Sequence, residues 1–128
     1  MVDEITFTSD ELDEVTRLFQ GLIRIDTTNP PGNEGKAAEY LKACFESNGV
    51  DCEVIGEPGR ENAVAKVRGR REKPRLLLES HTDVVPAGGV GDWAHPPFSA
   101  EVEGNWVYGR GACDDKFDVA VQAMSLIL

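Results

Sequence analysis

His81 and Asp83 stand two residues apart in "ESHTDVVP", directly after the apolar run Leu76 to Leu78. Side chains at i and i+2 of an extended segment leave the chain on the same side, so an imidazole and a carboxylate project together. Imidazole is a common metal ligand, and a carboxylate on its second nitrogen holds the ring in one tautomer. Strand ends are also where open α/β sheets gather their ligands. A second group follows in "YGRGACDDK", Tyr108 to Lys116. Gly109 and Gly111 allow a bend and a close backbone approach, and Asp114 and Asp115 then open a helix. Taken singly, each group has a plainer reading. His81 becomes a solvent-side histidine beside a turn aspartate, Asp114 a helix cap and Asp115 a complement to the helix dipole. Together they offer the imidazole and hard oxygen donors that zinc takes.

Positioning these groups requires a scaffold, and the hydrophobic spacing outlines one. "TSDELDEVTRLFQGLIRI" predicts a helix, with Thr8 and Glu11 as a capping box and Leu12, Val15, Phe19 and Leu22 on its inner face. "DTTNPPGN" is a loop, because its prolines cannot continue a helix. "EGKAAEYLKACFESNG" predicts a second helix, with Ala37, Leu41, Cys44 and Phe45 inward and Asn48-Gly49 as its stop. Strands are expected over "DCEVIG", over "NAVAKVRG" and over "RLLLES", the last continuously apolar as in a strand covered on both faces. "AEVEGNWVYG" predicts a hairpin turning at Gly104 and Asn105. "DDKFDVAVQAMSLIL" predicts a final helix with Phe117, Ala120, Val121, Met124 and Leu128 on one side. Strands alternating with helices indicate an α/β sandwich.

Composition narrows the function class. Thirteen basic against 23 acidic residues leave a net charge of −10, which argues against nucleic acid or an anionic membrane surface as partner. The basic stretch "KVRGRREKPR", Lys66 to Arg75, is a solvated loop in this reading. Cys44, Cys52 and Cys113 form no C-x-x-C pair and fit a reducing compartment. "MVDEITFTSD" has no apolar signal core, and a cytoplasmic location is the expectation.

The order "NPPGNE", "SHTDVVP", "WAHPPF" and "YGRGACDDK" resembles the dinuclear zinc peptidase family of acetylornithine deacetylase, succinyl-diaminopimelate desuccinylase, aminoacylase and glutamate carboxypeptidase. The resemblance spans nearly the whole chain. It implies a mixed, largely parallel central sheet flanked by helices, as in zinc-dependent exopeptidases. It implies His81 as a ligand of one zinc and Asp114 as the carboxylate bridging two zincs. Asp83 is implied as the catalytic acid that orients His81. A cis Asp114–Asp115 peptide is implied as well. The family motif places glycine after the lysine, whereas Phe117 follows Lys116 here. His95 falls where the family has no ligand and is a loop residue, and Trp93 and Phe98 are expected to pack.

The implied activity is cleavage of an amide bond in an N-acyl amino acid or small peptide by metal-activated water. Two zinc ions are implied, with cobalt or manganese as substitutes, and a homodimer in the full-length protein. The apolar helical pattern running to "SLIL" makes residues 1–128 the expected N-terminal part of a catalytic domain. Its later ligands and its lid or dimerisation domain would lie outside the chain. The alternative is an inactive fragment that keeps part of the fold and needs a partner chain.

Overall fold

Thr8 starts the first helix by reciprocal capping. Its hydroxyl accepts the Glu11 N–H at 3.3 Å, and the Glu11 carboxylate accepts the Thr8 N–H at 2.6 Å. A computed structural model describes residues 8–70 and 76–128; the N-terminal segment and the second half of the basic stretch lie outside them. Helix α1 (Ser9–Arg24) buries Leu18, Phe19, Leu22 and Ile23. Leu12, expected on this face, is exposed, because coverage of α1 begins only at Val15. Helix α2 (Glu34–Ser47) turns inward Ala37, Ala38, Leu41 and Phe45, with Cys44 half-buried beside them. It ends at Asn48 and Gly49, the latter at φ 75°, a left-handed conformation that glycine adopts without strain.

Strands β1 (Asp51–Glu57) and β2 (Arg60–Lys66) form an antiparallel hairpin in register from Asp51 opposite Lys66 to Glu57 opposite Arg60. Helix α2 packs against it, burying Cys52. Strands β3 (Glu101–Glu103) and β4 (Trp106–Tyr108) form the second hairpin, turning at Gly104 and Asn105 as predicted. The connection before it is pinned by His95, whose ring stacks on Tyr108 at 4.0 Å and whose Nδ1 lies 2.7 Å from Glu101 Oε2. Trp93 packs there too, under the Arg110 guanidinium at 5.1 Å, with its indole N–H donating to the Ala87 carbonyl. The fold is therefore mixed α/β, with three α-helices and two short antiparallel sheets among the described residues. Parallel pairing among the described residues is limited to one bridge, Thr28 with Val84.

The strand expected over "RLLLES" is not formed across 76–80, and Arg75 lies outside the described residues. A central strand needs hydrogen-bonded neighbours and cover on both faces. Leu76 and Leu77 have neither and remain 76% and 83% exposed. The segment is tethered at its far end, where Gln122 donates to the Glu79 carbonyl at 3.2 Å and Ser80 donates to the Gln122 amide oxygen at 3.1 Å.

Helix α3 (Lys116–Ile127) also departs from its predicted face. Lys116, Val119, Ala120, Ala123 and Met124 are buried, whereas Phe117, Val121 and Leu128 are exposed. The buried set repeats at i, i+3, i+4, i+7 and i+8 from a lysine, a residue that hydropathy assigns to solvent. Phe117 is carried to the α1–α3 seam, where its ring meets Phe19 edge-on at 5.6 Å.

Lys116 is fully buried. Its Nζ donates to the carbonyls of Leu22 at 3.0 Å and Ile25 at 2.8 Å, at the C-terminal end of α1, where helix carbonyls run out of intrahelical partners; the Leu22 carbonyl also accepts the Ile25 N–H at 3.2 Å. Burial lowers its pKa from 10.5 to about 8, and the Asp26 carboxylate opposes that shift. Lys116→Met leaves both carbonyls without this partner and should destabilise the fold by about 1–3 kcal/mol at neutral pH, read by urea unfolding. Because the folded-state pKa lies below the unfolded one, the native state binds fewer protons between pH 8 and 10.5. Wild-type stability should therefore rise across that window relative to Lys116→Met, by on the order of 3 kcal/mol at most. A flat difference between the two unfolding curves would refute this.

Candidate metal centre

The loop leaving α1 sets the position of the histidine. Thr28 N–H donates to Asp26 Oδ1 at 2.9 Å; the Thr28 side chain first, and this main-chain bond after it, hold that carboxyl below the usual aspartate range against the opposing effect of burial. The loop then pairs with the segment carrying Asp83. Asn29 N–H donates to the Val84 carbonyl at 2.9 Å, and Val84 N–H donates to the Thr27 carbonyl at 3.1 Å. Thr27, fully buried, also donates its hydroxyl to the Thr82 carbonyl. His81 and Asp83 are thereby fixed to the C-terminal side of α1.

The turn from β4 to α3 brings the second group. A methyl group on Gly109 would stand 2.4 Å from Ile23 Cγ2, and one on Gly111 would stand 2.6 Å from Val84 Cγ1. Gly111 also has φ 82°. Only glycine lets this turn lie against both α1 and the Asp83–Val84 segment. The Asp114–Asp115 peptide is cis. Asp115, rather than Asp114, occupies the N-cap position of α3, and its side chain makes no capping bond. It accepts the main-chain N–H of His81 at 3.1 Å instead.

These two anchors bring together the three residues singled out in the sequence. His81 Nδ1 lies 3.1 Å from Asp83 Oδ1 and 3.2 Å from the Asp83 carbonyl, and Nε2 lies 3.0 Å from Asp114 Oδ1. The imidazole thus stands between two carboxylates, with side-chain exposures of 52% for His81 and 89% for Asp114. Burial pulls the His81 pKa down, but bonds to Asp114 and to the Asp83 main chain, with the charges of Asp83 and Asp115, raise it overall. Asp83 is held below the usual carboxylate range, first by its bond from Asn29 and then by His81. The Asn29 side chain donates to Asp83 Oδ2 at 3.1 Å. Sequence reasoning passed over Asn29, which stood inside "NPPGNE" with nothing local to mark it. It also passed over the contact of Asp115 with His81.

The donor set matches part of a zinc site. One imidazole nitrogen faces a solvent-exposed carboxylate, and the other is braced by a second carboxylate, as zinc-ligating histidines are. No group of three or more His, Cys, Asp or Glu side chains able to hold a metal ion is gathered among the described residues. A cleft of about 710 Å³ between α2, β2 and α3 is lined by His81, Asp83, Glu34, Arg60, Leu77 and Leu126, among others. Among the described residues, no helix is long and apolar enough to cross a membrane.

The chain is similar to known proteins. The family model for Peptidase family M20/M25/M40 matches residues 77–127. A succinyl-diaminopimelate desuccinylase of Dinoroseobacter shibae is 36% identical over 96% of this chain and 29% of its own length. Another, of Methylorubrum extorquens, is 41% identical over 80% of this chain and 27% of its own length. The crystal structure of an M20 family metallo-carboxypeptidase from Sulfolobus solfataricus superposes with a TM-score of 0.76, at 25% identity, over 94% of this chain and 27% of that one. The chain thus spans less than a third of the length of these relatives. Motifs, relatives and fold agree in supporting Peptidase family M20/M25/M40 for this chain, with the family model matched over residues 77–127.

Proposed function

We propose that this chain supplies the N-terminal part of the catalytic domain of a zinc-dependent amidohydrolase, and with it half of a two-metal site. The observation that carries the reading is the line of contacts Asp83–His81–Asp114, at 3.1 and 3.0 Å. His81 would hold one zinc through Nε2, Asp114 would bridge two zincs, and Asp83 would fix the ring of His81 through Nδ1. Zinc bound there would polarise an amide carbonyl and make water a nucleophile at neutral pH. The chain's own contribution is orientation. Asp83 keeps the Nε2 lone pair directed at the Asp114 side, and Asp115 restrains the His81 backbone.

The proposed substrate class is an N-acyl amino acid or small peptide, in keeping with relatives named as desuccinylases and a carboxypeptidase. Catalytic zinc usually has three protein ligands, and the described residues supply two in this proposal. The remaining ligands and a proton-shuttling glutamate would come from sequence beyond these residues. By itself the chain should bind zinc weakly and hydrolyse no amide efficiently. The other reading, an inactive fragment completed by a partner chain, draws on the exposed Leu76 and Leu77.

A chimera in which residues 1–128 replace the corresponding part of the Dinoroseobacter desuccinylase tests the proposal. It should bind two zinc ions and hydrolyse an N-succinyl amino acid, whereas the 128-residue chain alone should not. In the chimera His81→Ala should reduce turnover by more than about 100-fold and lower the zinc content. Asp83→Ala should cost about 10–100-fold, as loss of an outer-shell brace does. Unchanged zinc content in the His81→Ala chimera would remove His81 from the site. A well-folded, zinc-loaded chimera without turnover would favour the inactive-fragment reading.

A further inference from the structure

We infer that Asn29 is a positioning residue of the metal centre, acting on His81 through Asp83; the inference rests on the metal-site reading above and extends it to a residue outside the two metal motifs. The Asp83 carboxylate has two oxygens with two tasks. Oδ1 faces His81 Nδ1 at 3.1 Å, and Oδ2 accepts the Asn29 amide N–H at 3.1 Å. The terminal torsion of an aspartate is broad and roughly two-fold, so a carboxylate bonded at one oxygen can still swing. Bonded at both, it holds one plane, and the imidazole opposite it inherits that orientation.

Asn29 can set this plane because its own backbone is anchored to the segment it braces. Its N–H donates to the carbonyl of Val84, the residue after Asp83, at 2.9 Å, and Val84 N–H returns a bond to Thr27 at 3.1 Å. The loop beyond it is closed by Gly32 N–H on the Thr28 carbonyl at 2.9 Å. Main chain and side chain of Asn29 thus grip adjacent residues of one extended segment. The donor is neutral, so it satisfies the carboxylate without competing with a metal for its charge.

Two variants and two readouts test the assignment. Asn29→Ala removes the donor, and Asn29→Asp keeps the shape while placing a carboxylate against Asp83. In metal-free protein at an alkaline pH where the ring is neutral, long-range ¹H–¹⁵N spectra report which His81 nitrogen carries the proton. Wild type should favour Nδ1, where Asp83 offers both Oδ1 and its main-chain carbonyl, over Nε2, which faces the single Asp114 oxygen. Both variants should shift His81 toward a mixture with the Nε2 tautomer, with chemical shifts in β1 and β2 unchanged. Zinc titration followed on the His81 signals should show affinity reduced about tenfold in Asn29→Ala and further in Asn29→Asp. An unchanged tautomer in both variants overturns the assignment, whatever zinc does, as does wild-type behaviour of Asn29→Asp with loss only in Asn29→Ala, which would make the role one of packing. A wild-type His81 that ignores zinc counts against the metal reading instead, and the tautomer comparison still decides for Asn29.

Discussion

The buried ammonium of Lys116 on the last carbonyls of α1 is the contact around which the molecule is arranged. It closes the end of one helix with the first residue of another. Both segments that flank it carry the chemistry. Asp114 and Asp115 immediately precede Lys116, and the loop that leaves α1 pairs with the extended segment bearing His81 and Asp83. A buried charge is tolerated only where polar partners replace its hydration, so this ammonium admits few arrangements of α1 against α3. Holding that joint holds both halves of the site in register.

The cluster around His81 is built by main-chain bonds and the absence of side chains as much as by its own side chains. Gly109 and Gly111 let the turn before α3 touch Ile23 and Val84. The Thr28–Val84 bridge ties the other side to α1. Between them the imidazole is confined by Asp83 and Asp114. A ligand residue on a freely moving loop would pay its ordering entropy on binding metal; here much of that ordering is present in the fold. The Phe117 ring packs edge-on against Phe19 at 5.6 Å, on the α1 side of α3.

How much was legible depended on whether the signal was local. The Thr8–Glu11 cap, the stop at Asn48 and Gly49, and the turn at Gly104 and Asn105 depend on neighbouring residues, and all formed as expected. The inward faces were less legible. Hydropathy placed Phe117 and Val121 inside α3 and gave no place to Lys116, because a buried lysine is stable only beside acceptors nearly a hundred residues away in sequence. The apolar run Leu76 to Leu78 has the composition of a central strand, but a strand is defined by its neighbours, and the described residues provide none.

The sequence alone determined the chemistry available: an H-x-D pair, a glycine-rich turn ending in two aspartates, and the spacing that marks their family. Those are properties of residue type and order, and they survive without coordinates. Tertiary structure decided which atoms meet. It put Asp114 against Nε2 and Asp83 against Nδ1, placed Asp115 rather than Asp114 at the N-cap of α3 with its carboxylate on the His81 N–H, and brought Asn29 to Asp83 across 54 residues of chain. Hydrogen-bond partners of this kind are selected by distance in space, and nothing in the residues next to Asn29 encodes the approach of a carboxylate so far along the chain.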